Sequence, residues 1–356
     1  MIKKNSLIIA STNHHIRIIR SADIKDSIDS IDLIVPFNLK EEILDQSFDN
    51  LSNIFYIRAN KINDNFFIRK FFQFGSLLKV IYLLKRHRYK VIGICSPYNF
   101  VTNKLIKFIP LINKDIFIHF FEDGLGFYSK SGDNSPSNIK GTSFFNDYTD
   151  HIKRAIYINK NQQVTIHAFF FNTYLSNMPI QYKLIDRVKF DQSLADEYHR
   201  KKNKMLEHFK NACSLNLKAK KNIFIFCPNS QIINYEGYKK VVEILGAKKS
   251  NSILFIKNNA SDDNNSPIKH AIDLSSQFSL ELFSYFFDEF FPNNNVYFVS
   301  TISTFYYTNK SNKNYIIDIS YIEGNQELCY LSKYKFLDSA KINYLSNAED
   351  LHTYYN

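Results

Sequence analysis

The stretch IFIHFFEDGLGFY, residues 116–128, decides how the fold is interpreted. Residues 116–121 are largely apolar and have the length of a buried strand. The run ends in two adjacent carboxylates and a glycine, Glu122, Asp123 and Gly124. Strands of parallel sheets are near-continuous apolar runs, and ligands bind beyond their carboxyl ends. The stretch therefore predicts a strand of a parallel α/β sheet that ends in a functional loop.

Similar short apolar runs recur along the chain, and segments with helical spacing, such as residues 71–86, lie between most of them. Strands that alternate with helices are typical of α/β proteins with parallel sheets. The predicted strands are residues 7–10, 31–35, 54–57, 91–95, 116–121 and 155–158 in the first half of the chain, and 223–227, 252–256, 296–299 and 315–319 in the second.

The chain has 356 residues, a natural length for two domains. A charged, helix-like segment at 191–221 separates the two series of strands. We therefore predict an N-terminal Rossmann-like domain at 1–190, a linker helix at 191–221 and a C-terminal Rossmann-like domain at 222–356. Residues 339–356 are expected to close the second domain as a helix. Because ligands of open parallel sheets bind at the carboxyl edge, the two domains are expected to face a cleft.

The composition is basic: 45 Lys and Arg against 34 Asp and Glu give a formal net charge of +11. Such a balance suits nucleic acid, an anionic membrane surface or phosphorylated substrates. No zinc-finger spacing, RNP-type signature or Arg-rich tract is present, so nucleic acid is not an expected partner. Four scattered cysteines, no signal-peptide pattern and no apolar run of roughly 20 residues predict a cytoplasmic protein. Peripheral contact with the inner face of the cytoplasmic membrane is compatible with that location.

The two acids of the opening stretch admit two interpretations. Adjacent carboxylates at a strand end raise one another's pKa, and one of them can then take a proton from a sugar hydroxyl. Gly124 and Gly126 would let the backbone turn sharply beside a ligand. The alternative is an ordinary Asp-Gly turn. The buried run before the acids and the second glycine favour a functional loop.

Two further groups of polar residues follow predicted strands. Hydroxyls after residues 296–299 can bind phosphate at a strand-to-helix junction or can simply cap a helix. Histidines after the first strand can reach a ligand, although surface or turn histidines are commoner. No Gly-rich phosphate loop and no histidine pair with metal-ligand spacing is present. The candidates are Ser300, Thr301, Ser303 and Thr304 in the first group, and Thr12, Asn13, His14 and His15 in the second.

Residues 75–90, GSLLKVIYLLKRHRYK, combine an apolar stripe with a basic end. An amphipathic helix whose basic last turn complements the helix dipole accounts for this pattern. Attraction to anionic lipid is the functional alternative.

The order of these features resembles bacterial sialyltransferases with a GT-B architecture, namely the lipooligosaccharide sialyltransferases (glycosyltransferase family 52) and the related polysialyltransferases. Those enzymes carry an acid-acid-Gly motif after an N-domain strand, which FFEDGLGFY (120–128) resembles. Their paired Ser/Thr motif is similar to VYFVSTISTFYY (296–307). Where the family has a His-Pro motif, this chain has Lys257-Asn258-Asn259, and Asn229 stands where family 52 has an acid.

The resemblance implies an inverting glycosyltransferase that moves sialic acid or a related nonulosonate from a CMP-linked donor to a glycan hydroxyl of lipooligosaccharide, O-antigen or capsule. It implies Asp123 as general base with Glu122 as neighbour or alternate. It implies no bound metal and no cofactor beyond the nucleotide-sugar co-substrate. The implied acceptor is a glycan or glycolipid on the side of Thr12, Asn13, His14 and His15. The implied donor-binding residues are Gly124, Asn229, Lys257, Asn258, Ser300, Thr301, Ser303 and Thr304.

Two alternatives follow from the departures at Asn229 and Asn258. The same GT-B fold can use a UDP-sugar or CMP-Kdo. The chain can also be a catalytically silent binding member of a glycan assembly complex.

Overall fold

The computed structural model describes much of the chain, with gaps. The described residues are 5–22, 24, 28–39, 50–58, 65–96, 100–113, 115–122, 124, 152–153, 156–157, 163–170, 175, 178–212, 222–228, 235–247, 251–258, 268–274, 278–301, 305–309, 314–320, 322 and 342–355. They divide into two compact units, the first within Met1–Gly132 and Ile139–Ser193 and the second within Leu194–Asn356.

The first unit is built on a seven-stranded sheet with the order β3-β2-β1-β4-β5-β6-β7. Every pair of neighbours is parallel. Six strands thus follow the Rossmann order, and β7 extends it at one edge. The strands are β1 (Asn5–Ile9), β2 (Ser30–Pro36), β3 (Leu51–Ile57), β4 (Val91–Ile94), β5 (Phe117–Phe121), β6 (Val164–Ala168) and β7 (Gln181–Leu184).

The helices of this unit begin and end at residues suited to those positions. The Thr12 hydroxyl accepts the His15 backbone N–H at 3.2 Å and so starts α1. The Asn65 side chain accepts the Phe67 N–H at 3.2 Å and starts α2, which ends at Arg88 with a left-handed φ of 50°. The helices are α1 (Asn13–Ser21), α2 (Phe66–His87) and α3 (Phe100–Ile112), with a 3-10 helix at Phe37–Leu39. A further helix, α4 (Arg187–Ala212), begins in this unit and continues into the second.

The second unit repeats the same strand order. Its sheet runs β10-β9-β8-β11-β12-β13, and all neighbours are parallel. The strands are β8 (Asn222–Phe226), β9 (Ser252–Lys257), β10 (Ile272–Leu274), β11 (Asn295–Ser300), β12 (Asn314–Asp318) and β13 (Ile342–Tyr344). The helices are α5 (Glu236–Gly246), α6 (Leu280–Phe290) and α7 (Phe305–Thr308), with a 3-10 helix at Ala348–Thr353.

Aromatic side chains make up much of the second core. The Phe209 ring of α4 contacts the rings of Phe255, Phe286, Phe287 and Phe291, with centroids 5.0–5.9 Å apart. Such rings bury large apolar areas and prefer tilted contacts. Phenylalanine is abundant in the chain, and several of these residues are packed in this core.

The structure confirms the α/β class with two parallel sheets and also corrects two predicted elements. Residues 156 and 157 lie in a helical turn, although 155–158 was predicted to be a strand. A run of four apolar residues does not distinguish a strand from a helix. A helix was expected over residues 339–356. Residues 342–344 instead form β13 at the sheet edge, and a 3-10 helix follows at Ala348–Thr353.

Strands β6, β7, β10 and β13 were not predicted. Both β6 (VTIHA) and β7 (QYKL) contain polar side chains, while β10 and β13 have three residues each. Among the described residues, no helix is long and apolar enough to cross a membrane.

A buried polar group holds β2, β3 and the segment after α2 together. The Tyr89 hydroxyl donates to Asp32 Oδ2, and the Asn53 amide donates to Oδ1 at 2.8 Å. Asp32 and Asn53 are register partners on neighbouring strands. Burial, followed by the hydrogen bond to Asp32, raises the pKa of Tyr89 well above its usual value. Tyr89 therefore stays protonated and donates at any ordinary pH.

Replacing Tyr89 with Phe should lower the free energy of unfolding by about 1–3 kcal/mol, because the buried Asp32 carboxylate loses a donor. Urea denaturation measures this change. Tyr82→Phe is the matched control, since Tyr82 is exposed on α2. Equal stability of the two variants would contradict the role assigned to Tyr89.

Candidate functional site

Parallel pairing places the carboxyl ends of β1, β4, β5 and β6 at one edge of the first sheet. The strand order reverses between β1 and β4, because the chain builds outward from β1 to β3 on one side and from β4 to β7 on the other. Ligands of open α/β sheets bind at such a switch point. The second sheet has its switch point between β8 and β11.

The acids of the opening stretch lie at the carboxyl end of β5. Glu122 is fully buried, and its backbone N–H donates to the His167 carbonyl at 2.9 Å. Its Oε2 accepts the Phe169 N–H at 2.8 Å. Glu122 thus joins the end of β5 to the end of β6 through both its backbone and its carboxylate.

Asp123 lies outside the described residues, and the base assigned to it stays a prediction. Gly124 has a φ of 76°, which favours glycine, so the backbone turns directly after the acids as predicted for this position. The Glu122 clamp fixes the backbone on one side of Asp123, and the Gly124 turn follows on the other.

A pair of histidines lies beneath this loop in the sheet. His167 Nε2 and His119 Nδ1 are 3.0 Å apart, and the Phe121 ring stacks on His167 with centroids 4.7 Å apart. Both histidines are buried. Burial, followed by the charges of His119 and Lys183, lowers the pKa of His167 well below its usual value. His167 was not singled out in the sequence because β6 was not predicted there.

The four candidate residues after β1 form the start of α1. Thr12 caps α1, and His15 is buried with its Nδ1 accepting the Ser11 N–H at 3.0 Å. The His14 ring packs against Phe190, with centroids 5.9 Å apart. Thr12 and His15 therefore have local structural roles, and an acceptor role for Asn13 and His14 stays a prediction.

In the second unit, Ser300 and Thr301 end β11 at the switch point. Both are nearly buried, and the Ser300 hydroxyl donates to the Thr301 carbonyl at 2.8 Å. The Ile319 N–H donates to the Ser300 carbonyl at 3.1 Å, which ties the ends of β11 and β12 together. The register also pairs Ser300 with the buried Asp318, which the sequence reasoning did not single out. Asn229, Ser303 and Thr304 lie outside the described residues.

Lys257 and Asn258 end β9 at the same edge of the second sheet. Lys257 is 8% exposed, and its ammonium donates to the Asn258 carbonyl at 2.9 Å. Asn258 Nδ2 lies 3.5 Å from Asp273 Oδ1, at the end of β10. The predicted phosphate partner is thus a buried cation at a strand end.

Burial and nearby acidic groups have opposite effects on the pKa of Lys257. Burial lowers the pKa of Lys257, while the carboxylates of Glu281 and Asp273 act to raise it. Burial also raises the pKa of the Cys227 thiol to about 12, so Cys227 is neutral. Glu281 lies in the first turn of α6. A buried ammonium at a strand end can pair with a ligand phosphate.

No protein-family model matches the chain, and no curated protein matches its sequence. Solved structures are similar in fold. UDP-GlcNAc 2-epimerase from Neisseria meningitidis, bound to UDP-GlcNAc, superimposes with a TM-score of 0.58 at 10% identity over 98% of both chains. UDP-N-acetylglucosamine 2-epimerase from Rickettsia bellii has a TM-score of 0.52 at 10% identity, covering 86% of this chain and 76% of its own.

A third structure is UGT73P12 of Glycyrrhiza uralensis complexed with glycyrrhetinic acid 3-O-monoglucuronide. Its TM-score is 0.50 at 10% identity, over 99% of this chain and 86% of its own. At this identity the likeness concerns the fold. Together with the two sheets of Rossmann order, it shows that the chain has the GT-B type of architecture.

Because His167 has a lowered pKa in the folded state, the unfolded chain binds a proton that the folded chain does not. Stability should therefore be constant above the unfolded pKa of about 6.5 and fall as the pH drops below it, by up to about 1.4 kcal/mol per pH unit. His167→Gln should remove this part of the slope. Urea denaturation at about pH 5.5 and about pH 7.5 tests it, with the exposed His270→Gln as control. A slope for His167→Gln equal to that of the wild type would show that another group titrates.

Proposed function

We propose that this protein is a glycosyltransferase whose nucleotide-sugar donor binds at the carboxyl edge of the second sheet. The main observation in support is the buried Lys257 ammonium at the end of β9, which lies on the same edge of the sheet as Ser300 and Thr301. A nucleotide sugar brings a phosphate or diphosphate to such an edge in proteins of Rossmann order. The fold supports this reading, since the N. meningitidis epimerase that shares it was solved with UDP-GlcNAc bound.

Each group at this edge has a chemical task in the proposal. Lys257 pairs with the donor phosphate and offsets the charge that develops on it as the nucleotide departs. The hydroxyls of Ser300 and Thr301 supply further hydrogen bonds to phosphate or ribose. Glu281 and Asp273 favour the charged form of Lys257 before the donor arrives. Asn258, Asn229, Ser303 and Thr304 complete the donor contacts as predicted from the sequence.

The first unit supplies the base in this proposal. Asp123 takes the proton of the acceptor hydroxyl while the hydroxyl oxygen attacks the anomeric carbon. The bond from that carbon to the nucleotide phosphate breaks on the opposite face, which inverts the configuration. Glu122 acts as a positioning residue, since its carboxylate is buried and accepts the Phe169 N–H. Neither step requires a metal, so we expect transfer to persist with EDTA.

The donor is proposed to be a CMP-linked sialic acid or related nonulosonate, and the acceptor a glycan or glycolipid of a bacterial surface polysaccharide. The resemblance of residues 120–128 and 296–307 to sialyltransferase motifs supports this choice. A UDP-sugar donor is the second candidate, and UDP-GlcNAc in the N. meningitidis epimerase of the same fold favours it. In this chain Lys257 takes the place where the sialyltransferases have a histidine.

Calorimetric titration with CMP, UDP and GDP should show binding of CMP in preference to the others. Lys257→Met should weaken that binding by about 10- to 100-fold, because a charge-assisted hydrogen bond is worth roughly 1.5–3 kcal/mol. Lys239→Met is the control, as Lys239 is exposed on α5. Tight UDP binding without CMP binding would show that the donor is a UDP-sugar and not a CMP-linked sugar. Binding of no nucleotide would leave only the silent binding protein, and conversion of UDP-GlcNAc without an acceptor would indicate an epimerase.

Asp123→Asn should lower the transfer rate by about 10²- to 10⁴-fold, the usual contribution of a general base. Nucleotide affinity should stay nearly unchanged, because Lys257, Ser300 and Thr301, which are proposed to bind the nucleotide, belong to the second unit. Glu122→Gln is the matched comparison, since a glutamine oxygen can still accept the Phe169 N–H. It should retain most of the activity and lose some stability. If Asp123→Asn and Glu122→Gln both leave transfer intact, the base assignment is wrong.

A further inference from the structure

Helix α2 exposes an apolar stripe that the core does not use. The stripe consists of Phe67, Phe71, Phe74, Leu78 and Tyr82, whose exposed fractions are 78%, 75%, 56%, 51% and 56%. Single exposed apolar residues are ordinary, but contiguous apolar surface marks an interaction site. Five large side chains in a row on one helix are such a surface.

The spacing puts these residues on one face of the helix. Steps of three and four residues from 67 to 82 keep the side chains within about 80° around the helix axis. The buried residues of α2 are Leu77, Val80, Leu83 and Leu84, and they point to roughly the opposite side. The helix therefore buries one apolar face in the first unit and presents a second one outward.

Basic residues accompany the aromatic stripe. Lys70, Lys79, Lys85 and Arg86 are exposed on α2, and the helix contains no Asp or Glu. The Arg86 guanidinium donates to the Tyr82 hydroxyl at 2.9 Å, and the Lys70 ammonium lies 4.8 Å from the centroid of the Phe100 ring. Long cationic side chains thus run along the aromatic surface with their charges at its rim.

Helix α3 continues the same composition. It packs against α2 and likewise contains no acidic residue. Its exposed residues include Lys104, Lys107, Phe108 and Leu111. Two neighbouring helices thus expose aromatic and aliphatic side chains together with Lys and Arg, and neither helix contains an acidic residue.

Charge decides which occupant suits this surface. A second copy of the chain would bring its own lysines and arginines against these, and like charges repel. A nucleic acid would match the charge. However, the sequence contains no zinc-finger spacing, RNP-type signature or Arg-rich tract, and the apolar side chains of Phe74, Leu78 and Leu111 would remain on this surface. An anionic bilayer matches both properties, because its phosphates pair with the cations and its acyl boundary takes the aromatic side chains.

We propose that the outward face of α2, with the adjoining surface of α3, docks on a membrane that contains anionic phospholipid. The helix lies in the plane of the interface, with a stripe about 22 Å long from residue 67 to residue 82 at about 1.5 Å per residue. Docking is independent of the proposed transfer reaction, since none of these residues belongs to the candidate site. It would concentrate the protein where lipid-linked acceptors are held.

The chain contains no tryptophan, which allows a specific test. Phe71→Trp places the single indole on the stripe, and Tyr157→Trp places it on an exposed residue outside α2 and α3. With vesicles of phosphatidylcholine and phosphatidylglycerol, the emission of the Phe71→Trp protein should shift to the blue and be quenched by brominated lipid. The Tyr157→Trp protein should bind equally well and show neither change. Binding without a difference between the two indoles would overturn the assignment of this face.

Vesicle sedimentation measures the contribution of each part. Replacing Phe67, Phe71 and Leu78 with Ser, or Lys70, Lys85 and Arg86 with Glu, should each lower the partition coefficient by roughly tenfold or more. Two control variants change exposed residues outside this surface and should bind as the wild type does. One has serine at Tyr157 and Val188, and the other has glutamate at Lys204, Lys210 and Lys239. Vesicles of phosphatidylcholine alone and high salt should weaken binding.

Two outcomes of these measurements contradict the proposal. Failure of the wild-type protein to sediment with anionic vesicles excludes docking on phospholipid. Self-association in analytical ultracentrifugation, lost only in the serine variant of the stripe, would assign the face to a second copy instead. Thermal unfolding of every variant confirms that the substitutions, all at exposed positions, leave the fold intact.

Discussion

Parallel hydrogen bonding between neighbouring strands is the constraint on which the rest of this structure depends. It brings the carboxyl ends of all strands in a sheet to one edge, and the Rossmann order reverses at one pair of strands within that edge. Residues that are far apart in sequence, such as Lys257 and Ser300, thereby lie on a common edge. No single loop forms the candidate donor site; the topology assembles it from several strand ends.

These strand ends carry charges that a protein interior disfavours. Glu122 is fully buried at the end of β5, and Lys257 is nearly so at the end of β9. Burial of an ionised group is costly unless hydrogen bonds or opposite charges compensate it. Glu122 is compensated by a backbone N–H of the neighbouring strand, which gives it a fixed structural position. Among the described residues, Lys257 donates to the Asn258 carbonyl, and Glu281 and Asp273 raise its pKa against the effect of burial.

The sequence was sufficient for the fold class because central parallel strands are buried on both faces and appear as continuous apolar runs. It was insufficient at the sheet edges, where β7 reads QYKL and β13 has three residues. At the site, the position of Lys257 and Ser300 after their strands was predictable from the same runs. The clamp from Glu122 to Phe169 was not, because it depends on β6, whose sequence VTIHA contains a polar residue and a histidine. A pairing between elements cannot be inferred when one of the elements is missed.

Helix α2 shows a different limit of sequence patterns. A helix with apolar residues on all sides is ordinarily buried on all sides. In α2 the residues Leu77 and Leu84 are buried, while Phe67 and Phe71 are among the most exposed large apolar side chains that the structure describes. Composition alone does not separate the two faces, since both are apolar. The separation becomes visible only in the folded unit, where α2 packs against α3 through part of its surface. The helix dipole does not account for all the cations of α2, because Lys70 lies near the amino end of the helix, where the dipole disfavours positive charge.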